Sequence, residues 1–282
     1  NPEVVNGMAA GSFTLVIIET ASPFCSVTTD VTIASPLSAL TLSASETSNV
    51  TCDNNAGTIS VTASGGWGGY LFELTGDATV PYSSNGTFTG LAAGDYIVNV
   101  MDAGGCIVSQ NISLSVPPPI DAVVAANTTL LDCNGDTDAV ITVSGITGGS
   151  GSDYTYTLHM IAPTMSSSGP QSSPVFDGLG AGTYNVEVSD NLNCNFISGD
   201  ITIAEPSPII ANLVKETSQT CLTQATLTLS ASGGTGSYTY SDNLTMSPIL
   251  GSFTNDITFT VPEGTYSYFV SDANGCIANV SN

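Results

Sequence analysis

The sequence predicts an all-β protein, a tandem array of small β-sandwiches, on three observations. Alternation of apolar and polar residues at period two dominates the chain, and no segment sustains a 3.6-residue pattern. Turn clusters such as SGGWGG, GDATVP and DAGG punctuate these segments. One phrase then recurs: GLAAGDYIVNVMDAGGC from Gly90 to Cys106, GLGAGTYNVEVSDNLNC from Gly178 to Cys194 and VPEGTYSYFVSDANGC from Val261 to Cys276. An imperfect copy, GMAAGSFTLVIIETASPFC, starts at Gly7. Its second glycine falls at Gly11, Gly94, Gly182 and Gly264, in steps of 83, 88 and 82 residues. Solenoid units run to about 20–50 residues, whereas about 85 residues is enough for a small domain with its own core.

In the second repeat the pattern predicts strands near 39–44, 57–63, 70–76, 86–90, 96–100 and 107–116. Strands this short, with Gly-rich turns between them, point to an immunoglobulin-like sandwich. Tyr96, Tyr184 and Tyr266 stand two residues after the repeated glycine, and alternate apolar residues follow them. This is the pattern of a tyrosine corner, in which the phenol bonds back to upstream backbone and the next strand enters the core. The first copy has Phe13 there and keeps only the ring. The predicted division is 1–36 for the C-terminal part of a truncated repeat, 37–118 and 119–206 for whole repeats, and 207–282 for a repeat lacking its last strand. Both ends are expected to continue in a longer protein. The junctions IASPL, SVPPPI and AEPSPI are short and proline-bearing, so they act as semi-rigid spacers and predict a rod.

The seven cysteines include three like-spaced couples, Cys52 with Cys106, Cys133 with Cys194 and Cys221 with Cys276, separated by 54, 61 and 55 residues. Short Cys-x-x-Cys pairs that would suit zinc are missing. The expected arrangement is therefore one disulfide per repeat, pinning one end of each sandwich, in an oxidising compartment. Cys25 is left over, with its partner expected upstream of residue 1.

Twenty-four acidic residues face one basic residue, Lys215, for a net charge of −23. That excludes a nucleic-acid partner, because affinity for phosphates rests on Lys and Arg, and adsorption to anionic membranes fails on the same physics. No apolar run approaches the length that spans a bilayer. With 41% hydrophobic residues and abundant Val, Ile, Thr, Tyr and Phe, the chain folds nonetheless.

Taken together, these residues resemble a family. The order is a cysteine, an Asn/Asp/Gly turn, a T-I-S-V-T strand, S-G-G-x-G-x-Y, G-L-x-A-G-x-Y-x-V-x-V and D-x-x-G-C. SGGWGGY (64–70), SGGTGSYTY (232–240), VMDAGGC (100–106) and VSDANGC (270–276) carry it, while SGITGGSGSDYTY (144–156) and DNLNC depart from it. This is similar to the SprB-type repeat of cell-surface gliding and adhesion proteins of Bacteroidota. The resemblance implies long surface proteins exported by type IX secretion, with the repeats as stalk or filament.

Sites for chemistry are few. The single histidine, His159, lies in the alternating segment YTYTLHM and reads as an ordinary strand residue, so no enzyme is expected. The one cofactor candidate is calcium, because Asp132, Asn134, Asp136 and Asp138 alternate in DCNGDTD and offer hard oxygen ligands. The loop lacks the glycine and the distal glutamate of an EF-hand. Asp102, Asp190 and Asp272 recur three or four residues before a cysteine, and their expected role is to cap the turn. The only tryptophan, Trp67, sits on a Gly loop and is expected to contact a neighbouring domain or a glycan. Expected partners are neighbouring repeats of the chain, with other copies in a filament or surface glycans as alternatives. The function expected is a non-enzymatic shaft segment at the cell surface, set against a ligand-binding module or a self-assembling filament subunit.

Overall fold

The computed structural model describes residues 4–281, and these hold strands and no helix. The chain divides into two compact units, Asn1–Pro117 and Pro118–Asn282.

The first unit begins with a hairpin of β1 (Gly11–Ile18) and β2 (Ser26–Ile33), paired from Gly11↔Ile33 to Ile18↔Ser26. A seven-stranded sandwich follows: β3 (Thr41–Ser48), β4 (Gly57–Ser64), β5 (Leu71–Gly76), β6 (Val80–Ser83), β7 (Thr87–Leu91), β8 (Gly94–Met101) and β9 (Ile107–Leu114). One sheet has the order β3-β4-β7 and the other β6-β5-β8-β9, with every pairing antiparallel. Alternate residues Ile59 and Val61 of β4, Phe72 and Leu74 of β5, and Tyr96, Val98 and Val100 of β8 meet in one buried cluster. The period-two pattern is thus the cause of the sandwich, since each strand offers one apolar face. Each fully buried side chain of this size contributes about 1.5–3 kcal/mol.

The hairpin β1–β2 has the register of β8–β9, where Gly94 pairs with Leu114 as Gly11 pairs with Ile33. Its apolar residues Leu15, Ile17, Val27 and Val31 are exposed, however.

The second unit contains two further sandwiches. The first comprises β10 (Asp121–Ala126), β11 (Ala139–Thr147), β12 (Thr155–Ala162), β13 (Ser166–Gln171), β14 (Val175–Leu179), β15 (Gly182–Ser189), β16 (Asn195–Ile197) and β17 (Ile201–Ile203). Its last strand is split in two, and both pieces pair with β15. The second comprises β18 (Ile210–Thr217), β19 (Ala225–Ser232), β20 (Tyr238–Ser241), β21 (Gly251–Phe253), β22 (Asp256–Val261), β23 (Ser267–Ser271) and β24 (Ile277–Ser281). Both repeat the arrangement of β3–β9, three strands against four or five, around separate cores. The fourth repeat was expected to lack its last strand. It has one, because the five residues of β24 suffice to pair with Ser267–Ser271.

The edge strands β6, β13 and β21 have no counterpart in the sequence pattern. Pro81 and Pro170 lie within the first two, and proline reads as a turn although an edge strand tolerates it.

All three tyrosine hydroxyls close a corner. Tyr96 donates to the Ala92 carbonyl at 2.7 Å, Tyr184 to Gly180 at 2.9 Å and Tyr266 to Pro262 at 2.9 Å. The rings of Tyr96 and Tyr184 are almost wholly buried, and burial pushes both phenols above their ordinary pKa, with a smaller push on Tyr96 from the Asp77 charge.

Candidate functional site: the joint between consecutive repeats

One end of each sandwich is organised by an aspartate. Asp102 and Asp272 are only 4% and 5% exposed, so each carboxylate must find its donors inside the fold. Asp102 Oδ1 accepts the amides of Gly104 and Cys106, both at 2.9 Å, while Oδ2 accepts the amide of Trp67 at 2.9 Å. Asp272 does the same with Asn274, Cys276 and Thr235, each at 3.0 Å. Asp190 does so with Leu192, Cys194 and Ser150. One carboxylate therefore caps the cysteine turn, as its position suggests, and also ties that turn to the S-G-G loop across the sandwich end. The Trp67 amide, with those of Cys106 and Gly104, outweighs burial and holds the Asp102 carboxyl below the usual range. Burial pushes Asp272 up, but the amides of Thr235, Cys276 and Asn274 bring it below the usual range.

This frame explains the glycines. Gly66, Gly149 and Gly234 have φ of +58°, +57° and +58°. A Cβ at these positions would come within 2.4, 2.2 and 2.4 Å of the aspartate Oδ2. The close approach and the left-handed backbone both require glycine. A second tyrosine latches each loop: Tyr70 donates to Gly65, Tyr154 to Gly148 and Tyr238 to Gly233, all at 2.6 Å. The sequence shows Tyr70 and Tyr238 in S-G-G-x-G-x-Y, and Tyr154 in the loop that departs from it, without revealing what they hold.

In the second unit this aspartate-framed end meets the opposite end of the preceding sandwich. Cys133, in the loop between β10 and β11, is bonded to Cys276, with Cα atoms 5.5 Å apart. Asn274 Nδ2 donates to the Asp132 carbonyl at 3.0 Å. The linker is bound to the same loop, since Asn134 Nδ2 donates to Pro206 O at 3.1 Å and the Gly135 amide to Glu205 Oε2 at 2.6 Å. The Gly234 amide donates to Ser207 O at 2.8 Å and ties the linker to the next S-G-G loop. Loop, linker and turn thus form one joint with a covalent bond in it.

The joint corrects two expectations. Cysteines were expected to pair within repeats, Cys52 with Cys106, Cys133 with Cys194 and Cys221 with Cys276. Instead Cys276 is bonded to Cys133, and Cys106 and Cys221 are free and exposed. Cys25 is a free, exposed thiol. The reason is distance. Ala139, at the start of β11, pairs with Leu179, which leads into the start of β15 at Gly182. Cys194 lies past the other end of β15, at Ser189. Eight residues of strand put Cys133 and Cys194 about 26 Å apart, far beyond the roughly 7 Å that a disulfide spans between Cα atoms.

The calcium expectation fails on geometry as well. Asp136 Oδ2 accepts the Cys133 amide at 2.9 Å, and Asn134 faces the linker. Asp132, Asn134, Asp136 and Asp138 do not converge, and among the described residues no group of three or more His, Cys, Asp or Glu could hold a metal ion.

Trp67 lies over its own cysteine turn, where a Cβ on Gly104 would come 2.2 Å from its Cδ1, yet it is 46% exposed. His159 is held by cross-strand neighbours, with Nδ1 2.8 Å from Ser167 Oγ and Nε2 3.2 Å from Glu187 Oε2. Among the described residues, no helix is long and apolar enough to cross a membrane.

No curated protein matches the chain. Similar solved structures include three N-terminal domains of the bacteriophage RB49 Highly Immunogenic Outer Capsid protein, at 11% identity over 86% of this chain and 94% of that one, TM-score 0.41. Another is a tetra-tandem repeat in the extending region of a large adhesion protein, at 13% identity over 98% and 81%, TM-score 0.29. Clostridium thermocellum CbhA fibronectin(III)-like modules match at 14% identity over 58% and 95%, TM-score 0.29. At such identities they say nothing of what this chain binds. A family model described as the SprB repeat matches residues 44–79, from β3 to the turn after β5 in the second repeat.

Proposed function

We propose that the chain is a non-enzymatic shaft segment of a long, secreted cell-surface adhesin or gliding filament. Its repeats are 37–118, 119–206 and 207–282, preceded by part of another. The observation that carries this reading is the Cys133–Cys276 bond between successive repeats. A bond inside a domain protects only that domain, whereas a bond between domains fixes their relative orientation and transmits tension across the joint. Disulfides also suit an extracellular setting. In the fourth repeat the Gly loop and cysteine turn are engaged at the joint, which favours a load-bearing role over ligand presentation. Trp67, half-exposed beside Cys106 at the corresponding end of the second repeat, is assigned to the same kind of inter-repeat contact. The SprB match fits a surface protein with repeats as its shaft.

Small-angle scattering tests this. Repeats of roughly 35–40 Å placed end to end give a maximum dimension on the order of 120–140 Å for three repeats and part of a fourth. A globule of this length has a radius of gyration of about 19 Å, and a maximum dimension near 60–70 Å would remove the basis for a shaft.

A further inference from the structure

We propose that the joint carries a modification site: Asn134–Gly135 and Asn274–Gly275 are spontaneous deamidation sites that the closed joint holds in the amide form. They convert once the joint opens, and the products make it close less readily, so the joint works as a one-way latch. The proposal rests on the geometry of the joint and not on the shaft reading.

Four Asn-Gly pairs stand in the sequence, beginning at Asn6, Asn85, Asn134 and Asn274. This pair is the most open to deamidation, because glycine has no side chain to hinder its own nitrogen and adopts the backbone geometry that ring closure needs. Two of the four lie in the joint. Asn274 Nδ2 donates to the Asp132 carbonyl at 3.0 Å and Asn134 Nδ2 to Pro206 O at 3.1 Å, so in each pair the nitrogen that must leave is held. The nitrogen that must attack is held as well. The Gly135 amide donates to Glu205 Oε2 at 2.6 Å, and that of Gly275 to the Asp272 carbonyl at 3.2 Å. Burial gives no protection here, since both asparagines are exposed. The hydrogen bonds of the joint supply it, and three of these four run between loop, linker and turn.

The reaction needs only water. The glycine nitrogen gives up its proton and bonds to the asparagine Cγ, the bond from Cγ to Nδ2 breaks, and ammonia leaves with that proton. The cyclic succinimide then takes up water at either carbonyl carbon and opens to aspartate or isoaspartate. No electrons are transferred: an amide and a water become a carboxylic acid and ammonia.

The product fits the joint poorly. A carboxylate at position 274 has no proton to donate to the Asp132 carbonyl, and it faces a loop that already carries Asp132, Asp136 and Asp138. A carboxylate at position 134 would face Pro206 O beside Glu205. Lys215, the only Lys or Arg, belongs to β18 and not to loop, linker or turn, so it does not offset the added charge there. Isoaspartate also lengthens the backbone within a turn whose Asn274 and Cys276 amides both bond Asp272.

The test incubates the full chain at mildly alkaline pH and reads chymotryptic peptides by mass spectrometry, with isoaspartate detected by enzymatic methylation. Asn6, exposed and outside any strand, is the internal clock, and Asn85, whose side chain bonds the Thr87 backbone, reports unfolding. In the parent chain Asn134 and Asn274 should convert at least about five-fold more slowly than Asn6, the effect of one hydrogen bond. Cys133→Ser with Cys276→Ser should bring Asn274 to the rate of Asn6. Glu205→Ala, at an exposed side chain, should do so for Asn134 and leave Asn274 and Asn85 as they were. Where Asn85 accelerates in the double variant, unfolding accounts for that chain and Glu205→Ala decides. Equal rates at Asn6, Asn134 and Asn274 in the parent overturn the proposal. So does a slower Asn134 in Glu205→Ala, because the carboxylate would then be the base that starts the reaction. Asn274→Asp, reduced and reoxidised in a glutathione buffer, should re-form Cys133–Cys276 about five-fold less readily than the parent, and full recovery removes the latch.

Discussion

Replacing both partners of the bond, Cys133→Ser with Cys276→Ser, separates a staple from an ornament. The bond closes a sequence separation of 143 residues. On the chain-entropy model a loop of that length is worth about 5 kcal/mol, and measured values for native disulfides run at roughly 2–5 kcal/mol. Four polar contacts remain in the joint without it: Asn274 to Asp132, Asn134 to Pro206, Gly135 to Glu205 and Gly234 to Ser207. At about 1 kcal/mol each, they do not replace the bond. The variant is expected to lose about 2–5 kcal/mol in urea unfolding followed by far-ultraviolet circular dichroism. Peptide mapping of the unreduced parent chain comes first, with an aspartate- and glutamate-specific protease, because Lys215 is the only tryptic site. Asp136, Asp200 and Glu205 then put Cys133, Cys194 and Cys276 on separate peptides. Recovery of Cys133 linked to Cys194, or a loss below about 1 kcal/mol, would refute the argument from strand ends.

Further outcomes are expected of single substitutions, of pH and of calcium. Asp272→Ala leaves three amides without their acceptor and should cost about 2–3 kcal/mol in thermal or urea unfolding; a near-neutral change would mean that the frame does not hold the turn. Because Asp102 and Asp272 have folded pKa values below the ordinary one, their contribution is present above the unfolded value near 4 and lost as pH falls through the folded values. Stability should therefore decline from about pH 4 downward, and less steeply in Asp272→Asn, so parallel pH profiles would sink the idea. Gly149→Ala, which sets a Cβ 2.2 Å from Asp190 Oδ2 at φ +57°, should cost at least about 1–2 kcal/mol, and Tyr184→Phe about 1–2 kcal/mol by leaving the Gly180 carbonyl unpaired. Calcium titration followed by calorimetry should show no site in the 132–138 loop, since Asp136 already caps the Cys133 amide at 2.9 Å.

What the sequence by itself determined was everything local in its physics. Period-two alternation dictated strands, because a strand buries every second residue: Tyr96, Val98 and Val100 follow directly from it. The G-x-Y phrase fixed the tyrosine corners, because a phenol four residues past a carbonyl reaches it within one turn. The recurrent aspartate four residues before Cys106, Cys194 and Cys276 marked a capped turn for the same reason. What only the tertiary structure decided was which ends of a sandwich meet. Where consecutive strands run in alternating directions, turns after an odd and an even number of strands lie at opposite ends. Six strands read from residues 37–118 put Cys52 after the first and Cys106 after the fifth, at one end. The structure adds β6, an edge strand containing Pro81 that reads as a turn, and Cys106 then follows the sixth strand at the far end. An edge strand is paired on one side only, so its sequence carries too little alternation and too much proline to announce itself. That one strand changes the parity of the fold, and where the third and fourth repeats meet, the bridge expected within each becomes a bond between them.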